Sequence, residues 1–456
     1  MIKRLSGLFS GENYQARALR GSFLTVLNFA GHNILRLGSN LILTRILFPE
    51  AFGLMALVQV VLAGTAMFSD FGIRGAIVQN PRGDDPVFLN TAWTVQIGRG
   101  VFLGLAVILM AEPLGRFYDE PQLTELLYFA AVIPVLQGFN STRMATAGRH
   151  IALGRLTLLM LVSQALGIVV MIALAWYLES VWALLFGSVA TALFQALLSH
   201  ILLPGEHRDR LGFEKASAGA LFSFGKYVFL ATLASFFIQH GDRAILGKYV
   251  TLEELAIYNI GFFLAMVPLK FARKLNDVVI FPLYSRRPPW EDESNRKRIN
   301  KARFLLTIGL LAGTACLAVI GDFMVRLLYD PRYEGGGPVL VLIAVIALPQ
   351  LITLSYERLP LSAGKSGRYA FFMISRASLL LAITIYGVMH YGLLGAIVAP
   401  LFAWALIYPV LVWVCRPFKG WDPLHDVLYT AVVAAMMAGL LWFHWETIQP
   451  LLPATT

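Results

Sequence analysis

The sequence places amide and charged side chains inside segments that are otherwise apolar. The stretch LNFAGHNILRLGSNLILTR, residues 27–45, is the first example. At 100° per residue its polar side chains share an arc of about 140°, and the opposite arc is apolar or glycine. The polar arc holds Asn28, His32, Asn33, Arg36, Ser39 and Asn40. This pattern predicts a helix that lines a polar cavity, although His32 taken alone fits hydrogen-bonded packing as well as a titrating role.

Two other apolar segments carry polar groups near their middle. Arg99 follows Gln96 by about one helical turn, and Arg243 follows Gln239 in the same way. A guanidinium that faced lipid at such a depth would cost about 3 kcal/mol, so it must face protein or water. Either Arg36 and Arg99 pair with carboxylates or helix carbonyls and lock a helix bundle, or they line an aqueous cavity and bind an anion. The second reading is favoured, with Ser235 as a further lining residue.

A cationic face follows in the stretch MVPLKFARKLNDVVIFPLYSRR, residues 266–287. Lys270, Arg273 and Lys274 lie with Asp277 in an arc of about 100°. Three cations on one face suit a pyrophosphate or another multiply charged group, and arginine is the bidentate donor among them. The alternative is a contact with anionic lipid at the membrane surface. The apolar run that continues after the cations favours the buried site.

Acidic residues near the apolar segments are few, and Asp70, Asp242 and Asp277 are candidates to bind a coupling proton or sodium ion. Their spacing selects none of them. The chain has no phosphate-binding GxxxxGK[ST] motif and no HExxH. Cys316 and Cys415 are far apart and read as buried thiols, so neither a disulfide nor a metal site is expected. The sequence therefore predicts no catalytic group, metal or cofactor.

Composition explains which elements hold these residues. Of the 456 residues 57% are hydrophobic and only 14% are charged, against about 25% in typical soluble proteins. The hydrophobic residues fall into thirteen blocks of about 20, the length of a membrane-spanning helix. If the N-terminus is cytoplasmic, 29 of the 37 basic residues lie in cytoplasmic links and six in the opposite links. The net charge of +10 is therefore explained by membrane topology and not by nucleic-acid binding.

The blocks divide into two sets of six and one extra block. LTRILFPEAFGLMA (43–56) aligns with LGKYVTLEELAIYN (246–259) at an offset of 203, which indicates a parallel internal repeat. The sequence predicts an all-α polytopic membrane protein: two six-helix bundles, related by a parallel pseudo-two-fold repeat, surround a central cavity. The expected parts are a cytoplasmic amphipathic leader (1–20), the two lobes (21–203 and 224–415), a cytoplasmic linker (204–223) and an additional C-terminal hydrophobic helix (427–445). The charged stretch 284–303 is expected to be a solvated connector.

Several stretches resemble the polysaccharide-synthesis branch of the multidrug/oligosaccharidyl-lipid/polysaccharide exporter superfamily, which comprises flippases of O-antigen, capsule and exopolysaccharide repeat units. The resemblance rests on LILTRILFPEAFGLMAL (41–57), FSDFGIRGAIVQ (68–79), GDRAILGKYVTLEELAIYNIGF (241–262) and VIFPLYSR (279–286). It implies alternating access, and a substrate oligosaccharide on undecaprenyl pyrophosphate that moves from the cytoplasmic to the periplasmic leaflet of the bacterial inner membrane. The coupling ion would be H⁺ or Na⁺, and polymerases or glycosyltransferases of the same pathway are candidate partners.

The cationic residues and the resemblance together predict a pyrophosphate site formed by Arg36, Arg99, Arg243, Lys270, Arg273 and Lys274. Two alternatives stand beside this prediction. A drug/cation antiporter of the same superfamily would use an acidic, aromatic cavity. A membrane glycosyltransferase or polymerase acting on the same lipid would need a sizeable extramembrane loop, and the expected outer links are short.

Overall fold

The structure, a computed structural model, describes residues 14–69, 72–150 and 152–452; side chains are described throughout except at 14–23, 222–231, 278 and 279. These residues are almost entirely helical and contain no β-strand. The helices of the first half are α1 (Tyr14–Ile46), α2 (Pro49–Phe68), α3 (Ile73–Gln79), α4 (Pro86–Tyr118), α5 (Pro121–Ala130), α6 (Val132–Gly138), α7 (Arg143–Arg149), α8 (Leu153–Leu178) and α9 (Val181–Ile201). The helices of the second half are α10 (Lys215–Tyr249), α11 (Leu252–Ala265), α12 (Val267–Leu275), α13 (Phe281–Arg286), α14 (Glu293–Leu328), α15 (Gly336–Thr353), α16 (Leu359–Ser362), α17 (Ser366–Cys415), α18 (Pro423–Phe443) and α19 (Trp445–Ile448).

Eight helical segments of the described chain are long and apolar enough to cross a membrane. Two bent pairs bring the number to ten: α5 and α6 with α7, bent by 53°, and α11 with α12, bent by 41°. The prediction of an all-α polytopic membrane protein is confirmed. These ten candidate membrane-spanning segments do not include α1 and α10, the two helices that carry the polar residues at 28–40 and 235–243.

The internal repeat is visible in the helix boundaries. Helix α1 ends at Ile46 and α10 at Tyr249, and these ends are 203 residues apart. The next helices, α2 and α11, start at Pro49 and Leu252, again 203 residues apart. Each helix ends with a basic residue in its last turn, and each following helix has an acidic residue in its first turn, as the helix dipole favours. The offset read from the sequence therefore corresponds to a structural repeat.

Helix α17 contains two helices that reverse direction at Gly392. This glycine has φ 54° and ψ −133°, a backbone conformation that residues with a Cβ rarely adopt. The backbones of Gly387 and Gly395 touch on either side of it, since a Cβ at Gly395 would lie 1.9 Å from the carbonyl oxygen of Gly387. The pair forms a tight helical hairpin, which agrees with the two separate blocks seen in the sequence.

The chain folds as two compact units. One contains Leu57–Leu233 and the described residues before Phe48; the other contains Phe48–Ala56 and the described residues from Ala234 onward. The boundary falls inside α10. Residues 204–214, the non-helical part of the expected linker, are bound to the first unit: the Asp209 carboxylate is buried and accepts hydrogen bonds from the hydroxyls of Ser141 and Thr142.

The expectation of a solvated connector over 284–303 is correct for most of its charged side chains, which are exposed, but wrong for its second half, which is helical. Helix α14 already begins at Glu293, and the Asp292 side chain caps it by accepting from the Ser294 N–H. Arg303, near the end of the expected connector, is only 1% exposed. Its guanidinium donates to the Tyr284 hydroxyl at 3.0 Å and lies over the ring of Tyr356. The start of this helix was not predicted, because its first turns are charged and show no helical periodicity of hydrophobic residues.

Helix α18 corresponds to the thirteenth hydrophobic block and packs against α14 and α15. Its first turn carries two buried polar residues, His425 and Asp426. The Asp426 carboxylate accepts hydrogen bonds from the hydroxyls of Tyr356 and Tyr408, the latter at 2.7 Å. The Nε2 atom of His425 contacts the hydroxyl of Thr307 on α14. These bonds fix the start of α18 within the second unit.

Candidate functional site

The first unit contains a cavity of about 320 Å³ beside the bend between α6 and α7. Its apolar walls come from α2, α3, α4, α6 and α7. We call it the amide cavity. Its polar lining consists of Arg74, Gln96, Arg99, Gln137, Asn140, Ser141, Thr142 and Gln195. Gln96 and Arg99 are two of the residues that the sequence predicts for a cavity. The other six were not recognised.

Gln96 donates hydrogen bonds to the carbonyl groups at the bend. The last carbonyls of a helix have no partner within the helix, and a bend leaves them exposed. The side-chain amide of Gln96 donates to the carbonyl oxygens of Gly138 at 3.0 Å and Asn140 at 2.9 Å, with a longer contact to that of Gln137. Gly100, one turn further along α4, lets the two backbones approach, since a Cβ there would lie 2.7 Å from the Pro134 carbonyl oxygen.

Arg99 connects α4 to the end of α2. Its Nε donates to the Ser69 hydroxyl at 3.1 Å, and its Nη2 donates to the Ala66 carbonyl oxygen at 2.8 Å. A cation is favoured at a helix C-terminus, where the carbonyl dipoles point outward. Arg99 therefore binds a helix carbonyl, which is one of the two alternatives proposed for it. It also lines the cavity.

The second unit contains a group of charged side chains around Arg273, which we call the cationic cluster. Its members are Arg273, Lys274, Asp277, Glu357, Arg358 and Arg376. Asp277 pairs with Arg358, and Arg376 Nη1 pairs with Glu357 Oε1 at 3.0 Å. Arg376 also donates to the Gln350 side chain at 3.4 Å. Four cations against two carboxylates leave an excess of two positive charges.

The helix that carries Arg273 is broken on both sides. Met266 separates α11 from α12 with a 41° bend, and Pro268 follows in the first turn of α12. After Leu275 the chain forms a π-helical turn, Asn276–Ile280, a rare element that is frequent at functional sites. Pro268 and Pro282 lie beside these breaks, on either side of the cations. Lys270 extends over the ring of Phe263, 5.9 Å from its centre.

The remaining predicted lining residues fall on α1 and α10. On α1, Asn28 contacts Met160 of α8, while His32 and Arg36 are exposed and Asn40 is half-buried. On α10, Arg243 lies 4.2 Å from the centre of the Phe262 ring. Asp242 accepts a hydrogen bond from the buried Tyr258 hydroxyl at 2.5 Å. Gln239 is exposed and Ser235 half-buried.

The structure thus brings Gln96 and Arg99 together in the first unit, and Arg273, Lys274 and Asp277 together in the second. Asp70, a candidate coupling carboxylate, lies outside the described residues, as do residues 1–13 of the expected leader. No three His, Cys, Asp or Glu side chains among the described residues converge as metal ligands would. The sequence analysis did not place Glu357, Arg358 or Arg376 in this cluster, because they lie more than 80 residues from Arg273 in the chain.

Comparison with known proteins gives three consistent results. A family described as "Polysaccharide biosynthesis protein" matches residues 42–335. The lipopolysaccharide biosynthesis protein WzxC of Escherichia coli K12 is 21% identical over 309 residues, which cover 67% of this chain and 62% of WzxC. The succinoglycan biosynthesis transport protein ExoT of Rhizobium meliloti is 23% identical over 307 residues, which cover 67% of this chain and 61% of ExoT. The chain spans about three fifths of the length of these curated relatives.

Solved structures share the fold at low sequence identity. The lipid II flippase MurJ in an inward closed conformation aligns with a TM-score of 0.67 at 9% identity, covering 94% of this chain and all of MurJ. An inward-facing multidrug resistance transporter of the MATE family, in the same superfamily, aligns with a TM-score of 0.63 at 14% identity, covering 84% of this chain and 94% of that one. These likenesses confirm the predicted fold class.

Proposed function

The chain belongs to the polysaccharide biosynthesis protein family of the multidrug/oligosaccharidyl-lipid/polysaccharide exporter superfamily, and on that premise we propose that it flips a lipid-linked oligosaccharide across the membrane. The substrate would be an oligosaccharide on undecaprenyl pyrophosphate, such as an O-antigen, capsule or exopolysaccharide repeat unit. The names of WzxC and ExoT support a role in polysaccharide biosynthesis, and the fold shared with MurJ supports lipid-linked transport.

The cationic cluster is the observation that carries this proposal. A pyrophosphate bears several negative charges, and arginine recognises its oxygens with paired N–H donors. Four basic side chains and two carboxylates leave this region of the second unit positively charged. A cluster with this sign would repel the cationic substrates of a drug antiporter, so it favours the flippase over that alternative.

Topology and energetics complete the proposal. The excess of basic residues in alternate links supports a cytoplasmic N-terminus and a location in the bacterial inner membrane. Flipping would run from the cytoplasmic to the periplasmic leaflet by alternating access of the two repeats, driven by H⁺ or Na⁺ through Asp70, Asp242 or Asp277. In this proposal the protein is a transporter and not an enzyme, and Arg36, Arg99, Arg243 and Lys270 guide the anionic head along its path.

The test uses a bacterial strain that lacks its own repeat-unit flippase and expresses the full chain. We expect Arg273→Gln to reduce surface polysaccharide to background, because the head group loses its bidentate partner. Arg298→Gln is the matched control: Arg298 is an exposed cation on α14 outside the cationic cluster, and its loss should leave export unchanged. Immunoblots of the membrane fraction check that both variants accumulate.

Two results would overturn the proposal. One is normal surface polysaccharide with Arg273→Gln at equal protein levels. The other is drug resistance conferred by the wild-type chain in a strain without efflux pumps, combined with no restoration of polysaccharide. Transfer of sugar by the purified protein in detergent would instead identify an enzyme.

A further inference from the structure

We propose that the amide cavity of the first unit binds one acidic sugar residue of the transported oligosaccharide, with Arg74 as the partner of the sugar carboxylate. This inference rests on the proposed function and adds the chemical class of the glycan. It assigns the sugar and the pyrophosphate to different units: amides and one arginine for the sugar, the cationic cluster for the phosphates.

The size of the cavity suits a single sugar ring. At about 320 Å³ it lies at the lower end of the range for small-molecule sites, which is about 300–1,000 Å³. Such a volume is too small for a whole repeat unit. Its apolar walls, which include Ile73, Leu103 and Met144, can pack against the C–H face of a ring.

The polar lining matches hydroxyl groups. Each sugar hydroxyl both donates and accepts hydrogen bonds, and so does each amide side chain. Gln137, Asn140 and Gln195 line the cavity, whereas the amide donor of Gln96 is already bound to carbonyl oxygens at the bend. The Oδ1 atom of Asn140 is buried and accepts no hydrogen bond from the residues that the structure describes. Buried polar atoms are normally paired, so this acceptor indicates a ligand donor or a water that the ligand displaces.

The charge of the cavity selects a single carboxylate. Arg99 already donates through Nε and Nη2 to Ser69 and Ala66. Arg74 lies exposed at the cavity, close to Gly148, and makes no hydrogen bond or ion pair with any described residue. One guanidinium with two parallel donors fits one carboxylate, such as that of a uronic acid. A pyrophosphate would require several cations, which the second unit provides and this cavity does not.

The experiment compares two lipids that differ only at the carboxylate. The first is undecaprenyl pyrophosphate carrying a glucuronate-containing disaccharide, and the second is the same lipid after reduction of the glucuronate to glucose. The full chain in proteoliposomes should flip the acidic lipid about tenfold faster than the neutral one. Arg74→Gln should slow the acidic lipid about tenfold more than the neutral one, so that the preference disappears. Arg155→Gln, at an exposed cation at the start of α8, should change neither rate.

Asn140→Ala tests the hydroxyl contacts separately, and we expect it to slow both lipids by the same factor. Equal rates for the two lipids with the wild-type chain would overturn the inference. So would an Arg74→Gln variant that slows both lipids equally, since Arg74 would then act on the shared pyrophosphate or on folding.

Binding of methyl glucuronoside and methyl glucoside to the detergent-purified protein separates this inference from the proposed function. Preference for the glucuronoside that disappears in Arg74→Gln supports the sugar site even if neither lipid is flipped, a result that would overturn only the flippase. Flipping of both lipids at one rate, without any preference in binding, would overturn only the sugar site.

Discussion

The amide cavity and the cationic cluster both lie where a helix breaks, but their polar groups are satisfied in different ways. At the bend after α6, side-chain donors meet backbone carbonyls: Gln96 bonds those of Gly138 and Asn140, and His200 bonds that of Phe139. Around Arg273, charged side chains on different helices meet one another, as in the pair of Arg376 with Glu357. The first arrangement gives a neutral polar surface with one unpaired cation, and the second gives a surplus of positive charge.

This difference has energetic consequences. A neutral hydrogen bond can be lost at moderate cost, because the carbonyl that remains finds water in a polar cavity. A nearly buried charge that loses its partner has no such replacement, since desolvation of an ion in a low-dielectric bundle is expensive. We therefore expect the second unit to be far more sensitive than the first to removal of one polar group.

The largest effect is expected for Glu357→Gln in the cationic cluster. The side chains of Glu357 and Arg376 are 15% and 13% exposed, so the variant leaves a nearly buried guanidinium without its carboxylate. The expected loss of stability is about 3 kcal/mol. Thermal unfolding of the detergent-purified protein measures it. The double variant Glu357→Gln/Arg376→Met removes both charges and should recover most of the loss.

An unchanged melting temperature for Glu357→Gln would contradict the comparison, because it would show that Arg376 is solvated. Failure of the double variant to recover would show that packing at position 376, and not charge, dominates.

A smaller effect is expected for Gln96→Leu in the amide cavity. The variant keeps the approximate volume but removes the donor shared by the carbonyls of Gly138 and Asn140. The expected loss is about 1–3 kcal/mol, the range for an unsatisfied polar group, and cavity water favours the low end. Thermal unfolding again measures it. Gln137→Leu is the control, since that side chain is exposed and makes no hydrogen bond to the described residues. A loss for Gln96→Leu as large as that for Glu357→Gln would remove the contrast between the two units.

The sequence predicts the cationic cluster better than the amide cavity for a physical reason. Arg273, Lys274 and Asp277 lie within one helical turn or so of one another, and helical periodicity places them on one face. The amide cavity draws Arg74, Asn140 and Gln195 from separate elements of the first unit. No period relates such residues, so only their tertiary arrangement shows that they converge.

The internal repeat was predictable because helix ends carry local signals. A base in the last turn and an acid in the next first turn recur at the offset of 203, and the helix boundaries follow them. Pairing partners were not predictable in the same way. Glu357 adjoins Arg358 in sequence, whereas its ion pair is with Arg376 of α17, and no sequence period relates these two residues.

The smallest effect concerns pH and the linker that rims the amide cavity. Residues 204–214 reach the cavity through Asp209, which accepts from the lining residues Ser141 and Thr142. Burial lowers the pKa of His207 below its ordinary value of 6.5; the nearby Asp209 carboxylate opposes this shift, and Arg143 adds to it. A His with a lowered pKa contributes stability above its unfolded pKa and loses that contribution as the pH falls through the folded pKa.

Carboxylates at the end of the linker act at lower pH. A hydrogen bond from Ser217, followed by one from Arg82, lowers the pKa of Glu214 below 4.5, and the bond from Arg82 also lowers that of Asp85 below 3.8. Both contributions are present above these unfolded values and are lost as the pH falls through the lower folded ones. Acidification from pH 7 should therefore loosen the linker in two steps, first through His207 below about pH 6.5 and then through the carboxylates below about pH 4.5.

Hydrogen exchange of peptides from 204–214, corrected for the intrinsic pH dependence of amide exchange, should show both steps as a few-fold loss of protection, while peptides from α15, whose membrane segment is 89% buried, remain protected. His207→Phe should remove the first step only, because a neutral side chain stays buried at every pH. If the protection of peptides from 204–214 does not change between pH 7 and 5 in the wild-type chain, His207 is solvated. The linker would then be as insensitive to pH as α15.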